Sequence, residues 1–128
     1  MKNGLLVADT GPLFSLAIID QLTVLDEMFD EIKIPHAVWD ELTVDKASKA
    51  YSLIIKTFNH RITAISKTNE LSFIMDFGES QAVTLYRELN ADFLLIDDKK
   101  ARRIAENFGI KCIGVIGLLA NAKRKTTF

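Results

Sequence analysis

Along the chain, apolar runs too short for helices alternate with longer stretches in which apolar residues recur at helical spacing. That alternation predicts strands feeding crossover helices into a mainly parallel sheet, the α/β class. Leu5 to Ala8 is the first predicted strand, and Asp9-Thr10-Gly11-Pro12 after it is a turn whose proline suits the opening of a helix carrying Leu13, Phe14, Leu16, Ala17 and Ile18. A second helical stretch holds Leu22, Leu25 and Phe29. Glu31 to Ile34 reads as a brief strand that stops at Pro35, and the helix it opens sets Val38, Trp39 and Leu42 on one face. Further helices are predicted from Asp45 to Phe58 and from Asn69 to Asp76, with a strand at Arg61 to Ile65 between them and a break at Gly78. From Glu79 onward Ala82, Val83, Tyr86 and Leu89 mark another helix, and the strand Phe93 to Ile96 ends abruptly in Asp97-Asp98. A helix through Ala101, Ile104, Ala105 and Phe108 closes at Gly109, followed by a strand at Lys111 to Ile113, a last helix through Ile116 and Leu119, and a basic tail.

With 128 residues, 48% of them hydrophobic, the chain has the size of one domain, residues 1–128, that buries a core without disulfide or metal staples. Sixteen basic and 17 acidic residues leave a formal net charge of −1, so any contact with a polyanion must come from local patches. The single Cys112 reads as a small apolar residue of a strand, and its solitude fits a reducing cytoplasm. The first apolar run is broken by Asp9, too early for a signal peptide, and no segment approaches the roughly 20 apolar residues of a membrane span.

The acids are where the pattern becomes chemical. In a parallel α/β sheet ligands bind beyond the carboxyl ends of the strands. Asp9 closes the first strand and Asp97-Asp98 the later one, so these positions share an edge. Glu79, one helical turn before the inward-facing Ala82, and Glu41, in the last turn of the Pro35 helix, both reach toward the same rim. Carboxylates gathered there repel one another unless a divalent cation joins them, and Mg²⁺ takes one or two carboxylates directly and fills its remaining sites with water and phosphate. Taken singly each acid has a structural reading: Asp97 or Asp98 as a helix cap, Glu79 as a complement to a helix dipole, Glu41 as a solvated helix residue, Asp9 as an Asx-turn. Their conjunction favours a metal-assisted hydrolase acting on phosphodiesters.

The segments Val7-Ala8-Asp9-Thr10-Gly11-Pro12-Leu13, Ile34-Pro35-His36-Ala37-Val38-Trp39-Asp40-Glu41-Leu42, Gly78-Glu79-Ser80-Gln81-Ala82 and Leu94-Leu95-Ile96-Asp97-Asp98-Lys99-Lys100-Ala101-Arg102 together resemble the PIN-domain superfamily, and more narrowly its prokaryotic branch related to VapC toxins. The resemblance spans almost the whole chain. It implies a three-layer α/β/α sandwich and a Mg²⁺- or Mn²⁺-dependent ribonuclease, with Asp9, Glu41, Glu79 and Asp98 as its acids and Asp97 as a further metal-side neighbour. Thr10 and Ser15 correspond to hydroxyls beside the family's metal site. The same likeness implies RNA as substrate, an antitoxin protein as partner, and a homodimer or higher homo-oligomer. Two positions depart from the commoner toxin pattern: Glu79 stands where Asp is usual, and Ile96-Asp97-Asp98 replaces Thr-x-Asp.

Cations beside an acidic pocket neutralise a bound backbone, and Lys99, Lys100, Arg102 and Arg103 follow the acid pair directly. Lys123-Arg124-Lys125 forms a second run. Trp39 and most other aromatics fall on apolar stripes, as core residues do, and His36 and His60 lack metal-ligand spacing. The competing reading is a catalytically silent PIN fold that binds RNA or protein. A phosphoacceptor receiver places its acidic pair after the first strand, not late, and an aspartate-nucleophile phosphatase needs a second acid two residues after the first, which Asp9-Thr10-Gly11 lacks.

Overall fold

A computed structural model describes residues 2–66 and 70–124. Four strands, β1 (Leu5–Ala8), β2 (Glu31–Lys33), β3 (Phe93–Leu95) and β4 (Cys112–Ile113), form an all-parallel sheet in the order β2-β1-β3-β4. Around them lie α1 (Thr10–Ile18), α2 (Thr23–Met28), α3 (His36–Leu42), α4 (Tyr51–Phe58), α5 (Phe77–Leu89), α6 (Lys99–Asn107) and α7 (Val115–Arg124). The two-residue period of a strand sorts the core. Leu6, Ala8, Leu95 and Ile113 face one way, into a cluster with residues of α1, α2, α3, α4 and α7. Val7, Leu94 and Ile96 face the other way, against Ala82, Val83 and Leu85 of α5 and Ala101 and Ala105 of α6. The result is the three-layer α/β/α sandwich, and burial of both sheet faces explains why the strands read as continuous apolar runs.

Several elements are shorter than their sequence pattern. Only Tyr51–Phe58 of the predicted Asp45 to Phe58 helix forms. Before it, the Asp45 carboxylate accepts from Ala47 N and the Ser48 hydroxyl from Ala50 N, local bonds that compete with helix formation. Arg61 to Ile65 contributes one bridge, Ile62 to Ile34, because the partner segment ends there: Pro35 is the N-cap of α3 and His36, which would supply the next rung, already belongs to the helix. Of the predicted Asn69 to Asp76 helix, a single 3₁₀ turn at Glu70–Phe73 is formed; Asn69 and, at the other end of the chain, Lys125 lie outside the described residues. Gly109 takes a φ of 79° just past α6, where its N–H reaches Glu106 O, and ends that helix as expected of glycine. Among the described residues no helix is long and apolar enough to cross a membrane.

The order β2-β1-β3-β4 places the chain's reversal of direction between β1 and β3, so the crevice at their carboxyl ends is the topological switch point of the sheet. Leu6, fully buried in the strand that defines it, is expected to cost about 2–5 kcal/mol when truncated to alanine. Urea unfolding of Leu6→Ala measures this, and a loss below about 1 kcal/mol would contradict the core assignment.

Candidate active site

β1 and β3 end side by side: Asp9 N donates to Leu95 O at 2.9 Å, carrying their pairing to the last residue before the crevice. Asp9 occupies the N-cap position of α1 yet makes no side-chain cap bond, and it is only 7% exposed. Burial, and after it the charges of Glu41, Asp76 and Asp98, push its carboxyl up to about 6, against the opposing pull of the Thr10 backbone N–H. A buried aspartate with so little compensation is unusual for a structural residue.

Glu41 arrives from the last turn of α3. The Thr10 hydroxyl donates to its Oε1 at 3.2 Å, tying α3 to the start of α1. Partial burial raises the Glu41 pKa, with Asp76 adding to the rise and the Thr10 hydrogen bond opposing it. The first turn of α5 crosses close above: a Cβ added at Gly78 would overlap Glu41 Oε1, so any larger residue there would push the Glu41 carboxylate out of its present place. Gln81 of α5 fixes the same crossing, since its side-chain oxygen accepts from Ala37 N at 3.3 Å and serves a helix start that Pro35 leaves without a side-chain cap.

Glu79 comes from α5, which begins at Phe77 rather than at Glu79. Asp76 is its N-cap, and the two acids form a capping box: Glu79 N donates to Asp76 Oδ1 at 3.2 Å and Asp76 N to Glu79 Oε1 at 3.3 Å. The Glu79 carboxyl is raised to about 7 by burial, then by a hydrogen bond with the Asp98 carboxyl and by the charges of Asp9, Asp98 and Asp76. Two carboxyls in that relation must share a proton or a cation. Asp98 itself caps α6, accepting from Lys100 N at 3.0 Å. Asp9, Glu41, Glu79 and Asp98 therefore meet at one edge, and Asp76 joins them, a residue the sequence reading passed over. The pattern Asp76-x-x-Glu79 before an apolar stripe was the signal for it.

Asp97 does not join them. Its Oδ1 accepts from Val115 N at 2.9 Å, holding the start of α7, and Gly114 leaves room for it, since a Cβ there would stand 2.8 Å away. Arg102 is turned the same way, its Nη2 donating to Cys112 O at 3.4 Å and its Nε 3.9 Å from Glu106 Oε2, so it lines a separate cavity with Asp97. Ser15 is exposed one turn into α1, where its hydroxyl donates to Gly11 O at 3.2 Å. Lys99, Lys100 and Arg103 are exposed on α6, and no salt bridge holds them among the described residues. Burial and Glu106 push the Cys112 thiol up to about 11, which makes it an inert half-buried group.

Among the described residues no group of three or more His, Cys, Asp or Glu side chains forms a ready metal cage. The donor set still fits a hard divalent cation. It is all carboxylate oxygen, burial and then neighbouring acids raise the Asp9 and Glu79 carboxyls to about 6 and about 7, and Mg²⁺ needs only one or two direct protein ligands.

The protein is thus of the parallel α/β sandwich class with carboxylates converging on the switch point of its sheet. Residues 5–128 match the family described as DUF3368, a PIN domain, and the chain belongs to that family. A solved structure described as a domain of a functionally unknown protein from Methanocaldococcus jannaschii has the same fold, with a TM-score of 0.51 and 19% identity over 86% of this chain and 89% of that one. No curated protein matches.

The raised carboxyls link stability to pH. Between the unfolded carboxyl value near 4 and the folded values of about 6 for Asp9 and about 7 for Glu79, the folded protein binds more protons than the unfolded, so these groups lower stability as pH rises through that window. Without divalent cations, melting temperature is expected to fall from pH 4.5 to 7.5, and Asp9→Asn, which removes the buried charge, to gain on the order of 1–3 kcal/mol at pH 7.5. Thermal melts in a chelating buffer check both, and an Asn variant no more stable than the parent at pH 7.5 would contradict the crowding.

Proposed function

We propose that this chain is a single-domain, Mg²⁺- or Mn²⁺-dependent endoribonuclease, the toxin-like member of a toxin–antitoxin pair of the VapC-related kind, acting in the cytoplasm as a homodimer or higher homo-oligomer. The observation that carries this reading is the meeting of Asp9, Glu41, Glu79 and Asp98, with Asp76, in one crevice where burial and mutual repulsion hold carboxyls above their ordinary range. Such a set is costly to the folded protein and gains its use when a cation is present.

Asp9, Glu79 and Asp98 are the residues to hold the cation, with Glu41 beside them. The cation, when bound, supplies a water of lowered pKa and neutralises charge on the phosphate. The remaining work belongs to the protein. Thr10 orients Glu41 through its hydroxyl, and Asp76 fixes the Glu79 rotamer through the capping box. Asp9 and Glu79, whose carboxyls stand at about 6 and about 7, would give up any bound proton on holding a cation, which makes cation affinity rise with pH through that range. Lys99, Lys100 and Arg103, exposed and free of ion pairs among the described residues, would bind backbone phosphates, a reading supported most for Lys100, which lines a cavity with Asp76. Asp97 and Arg102, engaged with the start of α7 and with β4, are left out of this machinery.

In an assay with single-stranded RNA and millimolar Mg²⁺ or Mn²⁺, Asp9→Asn is expected to lower cleavage at least about 100-fold, the loss of a few kcal/mol of metal-borne transition-state stabilisation, while the variant stays folded. Cleavage retained in the variant would contradict the role given to Asp9, and RNA bound but uncut by the parent in both cations would favour the silent fold instead. Cation binding to the folded state should also raise the melting temperature, by about 2.7 kcal/mol of stability at 100 times the dissociation constant. The gain should vanish in Asp9→Asn.

A further inference from the structure

Two phenyl rings lie in the open beside the acid crevice. Phe73, at the end of the 3₁₀ turn, is 92% exposed, and Phe77, the first residue of α5, is 59% exposed. Scattered surface hydrophobics are ordinary, but these two are placed. Phe77 shares one cavity with Glu41 and Asp76, and Phe73 shares another with Asp76 and Lys100. Asp76 lines both, so two grooves, each with a ring on its wall, meet at a member of the carboxylate cluster. One groove thus holds a ring and two carboxylates, the other a ring, a carboxylate and a lysine.

An apolar protein partner laid here would bury Asp76, Glu41 and Lys100 without counter-charges, which is strongly unfavourable. A single strand of nucleic acid offers a phosphate to Lys100 and leaves the acids open to water and to a cation. Its bases meet the rings, one phosphate meets the cation held by the acids, and the next meets Lys100. We propose, on the footing of the nuclease reading above, that Phe77 and Phe73 are stacking platforms for the bases on either side of the scissile phosphate, with Lys100 binding the phosphate on the Phe73 side. The substrate is then single-stranded RNA with unstacked bases, since bases inside a duplex cannot reach either ring, and the grip is tolerant of sequence because every base has a π face.

The test uses the full parent chain with Ca²⁺ in place of Mg²⁺, so that the acids are neutralised and the strand is bound and not cut, with a fluorescent mixed-sequence single-stranded oligoribonucleotide as probe and its integrity checked on a gel after each titration. Phe73→Ala and Phe77→Ala should each raise Kd about 5- to 150-fold. Leucine at either position should bind as weakly as alanine, and tryptophan should bind as tightly as phenylalanine. None of these changes should alter affinity for an abasic strand of equal length. Lys100→Ala should weaken both strands and lower the salt slope by about 0.7. Affinities within twofold of the parent for both alanine variants, or leucine binding as well as phenylalanine, would overturn the stacking role. So would a loss of self-association on light scattering with RNA affinity unchanged. If an alanine variant melts early, the tryptophan-to-leucine ratio at that position decides. Failure of the parent to cut the same strand in Mg²⁺ or Mn²⁺ would count against the metal-dependent chemistry alone, leaving the stacking to be judged by the affinities.

Discussion

The structure turns on negative charges pressed together in a crevice where, among the described residues, no cationic side chain is among the groups that shift them. Asp9 is nearly inaccessible, Glu79 is hydrogen-bonded to another carboxyl, and the groups acting on both are burial and further acids. A fold does not keep such an arrangement for its own stability, since buried carboxylates without counter-ions oppose folding. The strand order, the close crossing at Gly78 and the capping box of α5 all serve to hold it in place.

Each acid is carried by a rigid element, and the elements are locked to one another near it. β1 and β3 pair up to Asp9, Thr10 ties α1 to Glu41 of α3, Gln81 ties α5 to α3, and Asp76 fixes Glu79 at the start of α5. Side chains held in this way keep their places while unfavourably charged, which is how a site can be pre-organised for a ligand it has yet to bind. The same locking makes the site a local sacrifice of stability offset by the two apolar layers behind it.

Much of this was legible in the sequence, and the parts that were not have physical causes. Strand–helix alternation gave the parallel α/β class, and the strand-ending acids gave the edge to inspect. Asp97 and Asp98 could not be separated by pattern, because neighbouring residues beyond a strand point in different directions and only the contact with Val115 shows which one turns away. Arg102 misled for a related reason: a long side chain on α6 can be drawn to either flank, and here Cys112 O and Glu106 draw it to β4. Asp76 was hidden because Gly78 was read as a helix break, whereas the structure uses that glycine inside the first turn to admit Glu41. The loop before α4 escaped because Asp45 and Ser48 satisfy backbone donors locally.

The central claim, that these acids form one cation site, is tested most directly by the anomalous scattering of a crystal soaked in Mn²⁺. An anomalous peak within coordination distance of the Asp9 carboxylate and of Glu79 or Asp98 is the predicted result. Strong diffraction with no peak in that crevice, or with Mn²⁺ only at exposed acids elsewhere, would contradict it.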